Sequence, residues 1–119
     1  MTGRQRRQRF QLTFHPDIDP DLTALDPAVL DVVPTLLEDL AYGRITGKVL
    51  GDRRVSGDLS GLARVKFDVV GQRPKGFRLV YRQVGDDVRD VLAIGSRDQH
   101  AIYRAAARRL TRSPPDGEG

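Results

Sequence analysis

Cysteine and tryptophan are absent from these 119 residues, and histidine occurs only twice. Without cysteine there is no disulfide framework, no thiolate nucleophile and no Cys-ligated zinc site, a pattern that fits a reducing compartment. The two histidines, His15 and His100, come with no carboxylate spacing that would complete a metal site, so neither a metal nor a cofactor is expected. No apolar run approaches the roughly 20 residues that a membrane-spanning helix needs, and no membrane partner is expected. Residues 1–9 are Arg-rich and lack the apolar stretch of a secretory signal, so a cytoplasmic location is expected. A chain this short allows one domain with one modest core.

What is present is charge, and it is segregated. Residues 15–43 hold seven acidic side chains (Asp17, Asp19, Asp21, Asp26, Asp31, Glu38, Asp39) and no Lys or Arg. The rest of the chain holds all 20 Lys and Arg residues against the nine remaining acidic ones. A basic body of this kind points to a polyanion or a strongly acidic protein partner; a charged, solvated surface is the plainer reading.

Periodicity gives an α+β chain. Residues 9–14 alternate, with Phe10, Leu12 and Phe14 on one face, and read as a short strand. Asp19-Pro20 and Asp26-Pro27 each resemble an N-cap followed by proline at the first helical position. The second pair opens the better helix, on which Val29, Val33, Leu36, Leu37 and Leu40 recur at helical spacing until Gly43. Pro34 should kink that helix or split it in two. Residues 47–61 contain four glycines without a clear period and read as a loop.

Three strands follow in order. In 62–70, Ala63, Val65, Phe67 and Val69 share one face, and Arg64, Lys66 and Asp68 the other. A basic turn at 71–76 leads to a strand at 77–84, and Gly85-Asp86-Asp87 makes a hairpin into a strand at 88–95, whose residues 91–94 look buried on both faces. Residues 99–110 read as a terminal helix with Arg104, Arg108 and Arg109 in its later turns, where cations suit the helix dipole. The expected architecture is a small antiparallel sheet, an N-terminal strand plus a three-strand meander, with two N-terminal helices and a C-terminal one. Residues 1–8 form a basic arm, 9–110 the domain and 111–119 a disordered tail.

The most informative stretch is the junction of the last strand and helix. Arg97 stands at the strand's exit and Tyr103 follows on the helix, so both side chains can converge at the mouth of the sheet. A guanidinium holds phosphate by planar bidentate hydrogen bonds, and a tyrosine can stack on a base. Arg64, Lys66 and Arg78 lie in strands that reach the same place. The set reads as a site for RNA phosphate chemistry built from cations, with Lys48, Arg53, Arg54 and Lys75 as further phosphate contacts. Each residue also has a plain reading: Arg64 and Lys66 as solvent-facing strand residues, Arg97 as a partner of Asp98, Tyr103 as core. A two-histidine ribonuclease centre is disfavoured because nothing brings His15 to His100.

Taken together, Leu59 through Phe67, Gly76 through Tyr81, Ile94-Gly95-Ser96-Arg97, Tyr103 and Ala106 through Leu110 resemble the RelE/ParE superfamily of bacterial toxins. The match rests on order, spacing and residue type over most of residues 36–110. The resemblance implies a toxin of a type II toxin–antitoxin pair. RelE-like members cut mRNA in the ribosomal A site by attack of the mRNA's own 2′-hydroxyl on the adjacent phosphate. ParE-like members share the fold, poison DNA gyrase and lack the catalytic cluster. Lys66, Arg78, Arg97 and Tyr103 match the RelE-type pattern, and Arg64 stands where that branch commonly has a lysine. The expected partners are therefore a cognate antitoxin, the ribosome and mRNA. The alternatives are a gyrase-binding inhibitor that is not an enzyme, and a degenerate toxin-fold protein that only binds its partner.

The chemistry needs three things: a deprotonated 2′-oxygen, stabilised charge on the phosphorane, and a protonated leaving oxygen. Lys66 among arginines should have a lowered pKa and is the candidate base. Arg78 and Arg97 are the candidates for the non-bridging oxygens, and Tyr103 for orienting the base. Arg64 is too basic to carry a proton and suits a phosphate clamp.

Overall fold

In the computed structural model, residues 8–53, 57–71, 76–96 and 101–112 are described. The chain order is β1 (Gln11–Phe14), α1 (Ile18–Thr23), α2 (Pro27–Leu30), α3 (Val33–Ala41), β2 (Lys48–Arg53), β3 (Gly57–Phe67), β4 (Phe77–Val84), β5 (Val88–Ser96) and α4 (Ala101–Arg112). The strands form one sheet in the order β1-β5-β4-β3-β2. The meander β3–β4–β5 is antiparallel, as its alternation implies.

The pleat sorts side chains to two faces. Ala63, Phe67, Leu79, Tyr81, Val91 and Ile94 pack under Ile18 of α1, Val29 of α2 and Val33, Leu36 and Leu40 of α3. Leu50, Leu62, Val80, Leu92 and Ala93 pack on the other face against Ile102, Tyr103 and Ala106 of α4. The register of β5 on β4 shifts between Val80 and Tyr81, which pair with Ala93 and Val91. Leu92 is the extra residue of this bulge, and so Leu92 and Ala93, neighbours in sequence, both reach the α4 layer. This explains why residues 91–94 form an unbroken apolar run.

Four expectations are corrected. Residues 47–61 are not a loop: β2 and the first part of β3 occupy them, paired antiparallel across a register shift between Val49 and Gly51. The strand character of β2 comes from its partner, since Gly51 and the bulge erase any local period. The sheet is mixed, because β1 pairs parallel to β5; a four-residue strand carries no signal of its direction. The N-terminal helical region has three segments, not two, because Pro34 splits the expected helix. Proline occupies the first turn of α3, where its missing N–H is no loss. Strand β3 ends at Phe67, short of residue 70, and α4 runs to Arg112, two residues past its expected end.

Two features fix how the helices join the sheet. Arg89 of β5 is 2% exposed. Its Nη1 donates to the carbonyls of Leu40 and Ile45, both at 2.9 Å, its Nη2 to Thr46 Oγ1 at 3.1 Å, and its Nε to Gln83 Oε1 at 3.2 Å. The guanidinium carbon lies 3.7 Å from the Phe10 ring centroid and 5.0 Å from that of Tyr81. Burial lowers the Arg89 pKa, with Arg9 adding repulsion, yet an arginine stays protonated at any physiological pH. It satisfies a carbonyl at the C-terminus of α3, where a cation is favoured. Next along the chain, Gly47 donates its N–H to Tyr81 Oη at 2.9 Å. A Cβ there would stand 2.6 Å from the Arg64 carbonyl oxygen, so only glycine lets the chain press against β3 as β2 begins.

Replacing Arg89 by Met keeps the side chain's bulk but leaves buried carbonyls without donors. Arg89→Met should lower unfolding free energy by about 3 kcal/mol, read as a lower urea midpoint at unchanged m-value. A loss below about 1 kcal/mol would show that water replaces the guanidinium.

Candidate phosphate-binding site

Strand pairing brings the basic residues together. Lys66 of β3 lies opposite Arg78 of β4, which lies opposite Gly95 of β5. One row over, Lys48 of β2 lies opposite Arg64, which lies opposite Val80. Period-two alternation puts Lys48, Arg64, Lys66 and Arg78 on the α4 side of the sheet. Like charges placed directly opposite each other on a sheet destabilise it, and here two such pairs sit in adjacent rows. Lys48 and Lys66 are exposed and Arg64 is half-buried. With Ile45, Thr46 and Val65, these three line an open depression of about 440 Å³, with no carboxylate in its wall among the described residues.

Arg78 forms the inner end of the cationic rows. It is 7% exposed and Tyr103 is 6% exposed. Arg78 Nε donates to Tyr103 Oη at 3.1 Å, and its Nη1 donates to the Phe77 carbonyl at 3.2 Å. The structure places Tyr103 in the core, as its plain reading had it, and adds a contact to Arg78 that the sequence reading did not name. Its ring belongs to the α4-side core, and its hydroxyl reaches the site and orients a guanidinium. A second concavity, about 350 Å³, lies on the opposite face among Ile18, Leu22, Leu37, Leu79 and Val91 and has no Lys or Arg in its wall. Among the described residues, the two like-charged rows lie on the α4 side.

The remaining candidates are placed as follows. Arg53 is the last residue of β2 by backbone. Arg54, Lys75, Arg97 and His100 lie outside the described residues, as do residues 1–7 and 113–119 of the expected arm and tail. Sequence reasoning missed Thr46 and Ile45 as part of the depression; they reach it through the Arg89 and Gly47 contacts, which no local pattern announces. His15 lies in the wall of the apolar concavity on the far face, away from the basic rows.

No protein-family model and no curated protein sequence matches the chain. Solved structures do. A double arginine-to-alanine mutant of the E. coli toxin RelE in the free state is 24% identical, with a TM-score of 0.57 over 87% of this chain and 99% of that one. The M. tuberculosis RelBE2 toxin–antitoxin complex contains a chain that is 24% identical, with a TM-score of 0.58 over 75% of this chain and 99% of that one. The isolated E. coli RelE toxin is 22% identical, with a TM-score of 0.52 over 85% and 98%. The chain has the fold of the RelE toxins, as the resemblance implied.

Tyr103→Phe removes the acceptor of Arg78 Nε and keeps the ring in the core. It should cost about 1 kcal/mol of stability, measured by urea unfolding, with the far-ultraviolet spectrum unchanged.

Proposed function

We propose that this chain is the toxin of a toxin–antitoxin pair, an endoribonuclease that cuts mRNA on the ribosome. The observation that carries the reading is the pair of like-charged rows, Lys48–Arg64 and Lys66–Arg78, held on a RelE-type sheet beside the Arg78–Tyr103 hydrogen bond. Such rows concentrate positive charge on one face, where a polyanion is attracted. The RelE-type fold and its likeness to a chain of a toxin–antitoxin complex support the class.

In this reading the RNA backbone crosses the depression, with Lys48 and Arg64 on flanking phosphates. Lys66 takes the proton of the 2′-hydroxyl, and its oxygen attacks the adjacent phosphorus. Arg78, held by Tyr103, and Arg97 stabilise the charge that builds on the non-bridging oxygens. The 5′-oxygen leaves with a proton, so the products are a 2′,3′-cyclic phosphate and a 5′-hydroxyl. Cations do the work of charge stabilisation, and the ribosome completes the positioning of the mRNA. The chain acts in the cytoplasm, and an antitoxin neutralises it by presenting acidic groups over Lys66 and Arg78 or by displacing α4.

Expression of the chain alone should stop growth by halting translation, with mRNA cut inside coding frames on mapping of 5′ ends. Continued protein synthesis with trapped gyrase–DNA complexes would instead favour the ParE-like alternative. Arg78→Ala and Arg97→Ala should each slow cleavage by roughly 10²–10³. Lys66→Ala should slow it too, with a loss that shrinks as pH rises. A pH-independent defect would move Lys66 from base to electrostatic support.

A further inference from the structure

Strand β1 covers β5 only from Val88 to Val91, and His15 N closes this pairing on the Val91 carbonyl at 2.9 Å. Past Val91 the β5 edge is met by two side chains from opposite faces of the sheet. Arg109 of α4 donates through Nη1 to the Leu92 carbonyl at 2.9 Å, and Asp21 of α1 accepts the Ile94 N–H through Oδ2 at 3.1 Å. The two side chains bind each other bidentately, Nη1 to Oδ2 at 2.7 Å and Nη2 to Oδ1 at 2.9 Å. Asp17 Oδ2 adds a longer contact to Arg109 Nε at 3.7 Å. Their side chains are 12% and 16% exposed, Arg109 and Asp21 respectively, so solvent screens the pair weakly. The hydrogen bond to Asp21 raises the Arg109 pKa against the opposing effect of burial. Together the pair supplies the donor and acceptor that a continuing neighbour strand would have offered.

The described apolar contacts of α4 come mostly from small side chains. Among its described side chains Ile102, Tyr103 and Ala106 are buried, with Ala105 and Ala107 partly so. Alanine methyl groups remove little apolar area from water. Polar contacts add to this grip: Tyr103 meets Arg78 near the start of the helix, and Arg109 meets Asp21 six residues later, about 9 Å along the axis.

We propose that Asp21 and Arg109 are positioning residues of the phosphate site: by buckling α4 to the open edge of β5 they hold the Tyr103 hydroxyl on Arg78. The catalytic consequence rests on the ribonuclease reading; the positioning itself does not. Neither residue lines the depression, and one of them comes from the acidic segment, the stretch that the charge map sets apart from the site.

The test reads Arg78 directly. In nitrogen-15-labelled protein, the solvent exchange of the Arg78 Nε–H should quicken by at least about tenfold in Asp21→Asn, the worth of one well-made hydrogen bond. The Arg89 Nε–H, bonded to Gln83 on the far face, should stay within about twofold and serves as the internal reference. Arg109→Lys, which keeps the charge but cannot hold Asp21 and Leu92 together, should move Arg78 in the same direction by less. In ribosome-dependent mRNA cleavage, kcat should fall by about tenfold or more with KM changed by less than about threefold. An unchanged Arg78 proton, or Arg78 and Arg89 loosening together, overturns the proposal. If the unmodified protein cuts no mRNA, the ribonuclease reading fails while the exchange result still decides the positioning role.

Discussion

A buried guanidinium organises this fold. Arg89 gathers the last turn of α3, residues 45 and 46, and the β4–β5 hairpin around one cation, and it does so by hydrogen bonds to carbonyls and a hydroxyl. The aromatic rings of Phe10 and Tyr81 stand in for part of its lost hydration. The consequence reaches across the sheet. Residues 45 and 46 lead into Gly47, whose tight contact with the Arg64 carbonyl sets the start of β2, and β2 carries Lys48 into the basic rows. A cation on one face thus fixes where the cations of the other face stand.

Charge has opposite uses in the two layers. On the α1 side, acidic residues are consumed by structure: Asp21 and Asp17 meet Arg109, and Asp39 binds Arg44 at 2.7 Å. On the α4 side, Lys48, Arg64, Lys66 and Arg78 are stacked against their own kind. A fold optimised for stability alone would intersperse the signs. In the proposed function this segregation marks the working surface, where a polyanion would meet the clustered cations.

Much of this was legible in the sequence, and for identifiable reasons. Strict alternation in Ala63, Val65 and Phe67 against Arg64 and Lys66 placed the second half of β3 and assigned its faces, because a pleat has period two. Pro34 announced the break before α3. What escaped depends on partners far along the chain. Strand β2 exists because β3 offers it a ladder, the direction of β1 is set by β5, and the role of Arg89 needs Leu40, Ile45 and Gln83 brought to one point. Within the site, Arg64, Lys66 and Arg78 were readable from spacing as strand residues reaching one place, whereas Lys48 lay in a stretch read as a loop and joins its row only through β2. For Tyr103 both core and site stayed open, since helix periodicity gives a face and not a depth.

The central claim is that these cations cut RNA by internal attack on a ribosome-bound message. Ribosomes programmed with a defined mRNA and given the purified protein test it most directly, with the ends of the fragments analysed chemically. The account predicts cleavage within the reading frame only when ribosomes are present, leaving a 2′,3′-cyclic phosphate upstream and a 5′-hydroxyl downstream. Intact mRNA at saturating protein, or fragments ending in a 5′-phosphate, would contradict it.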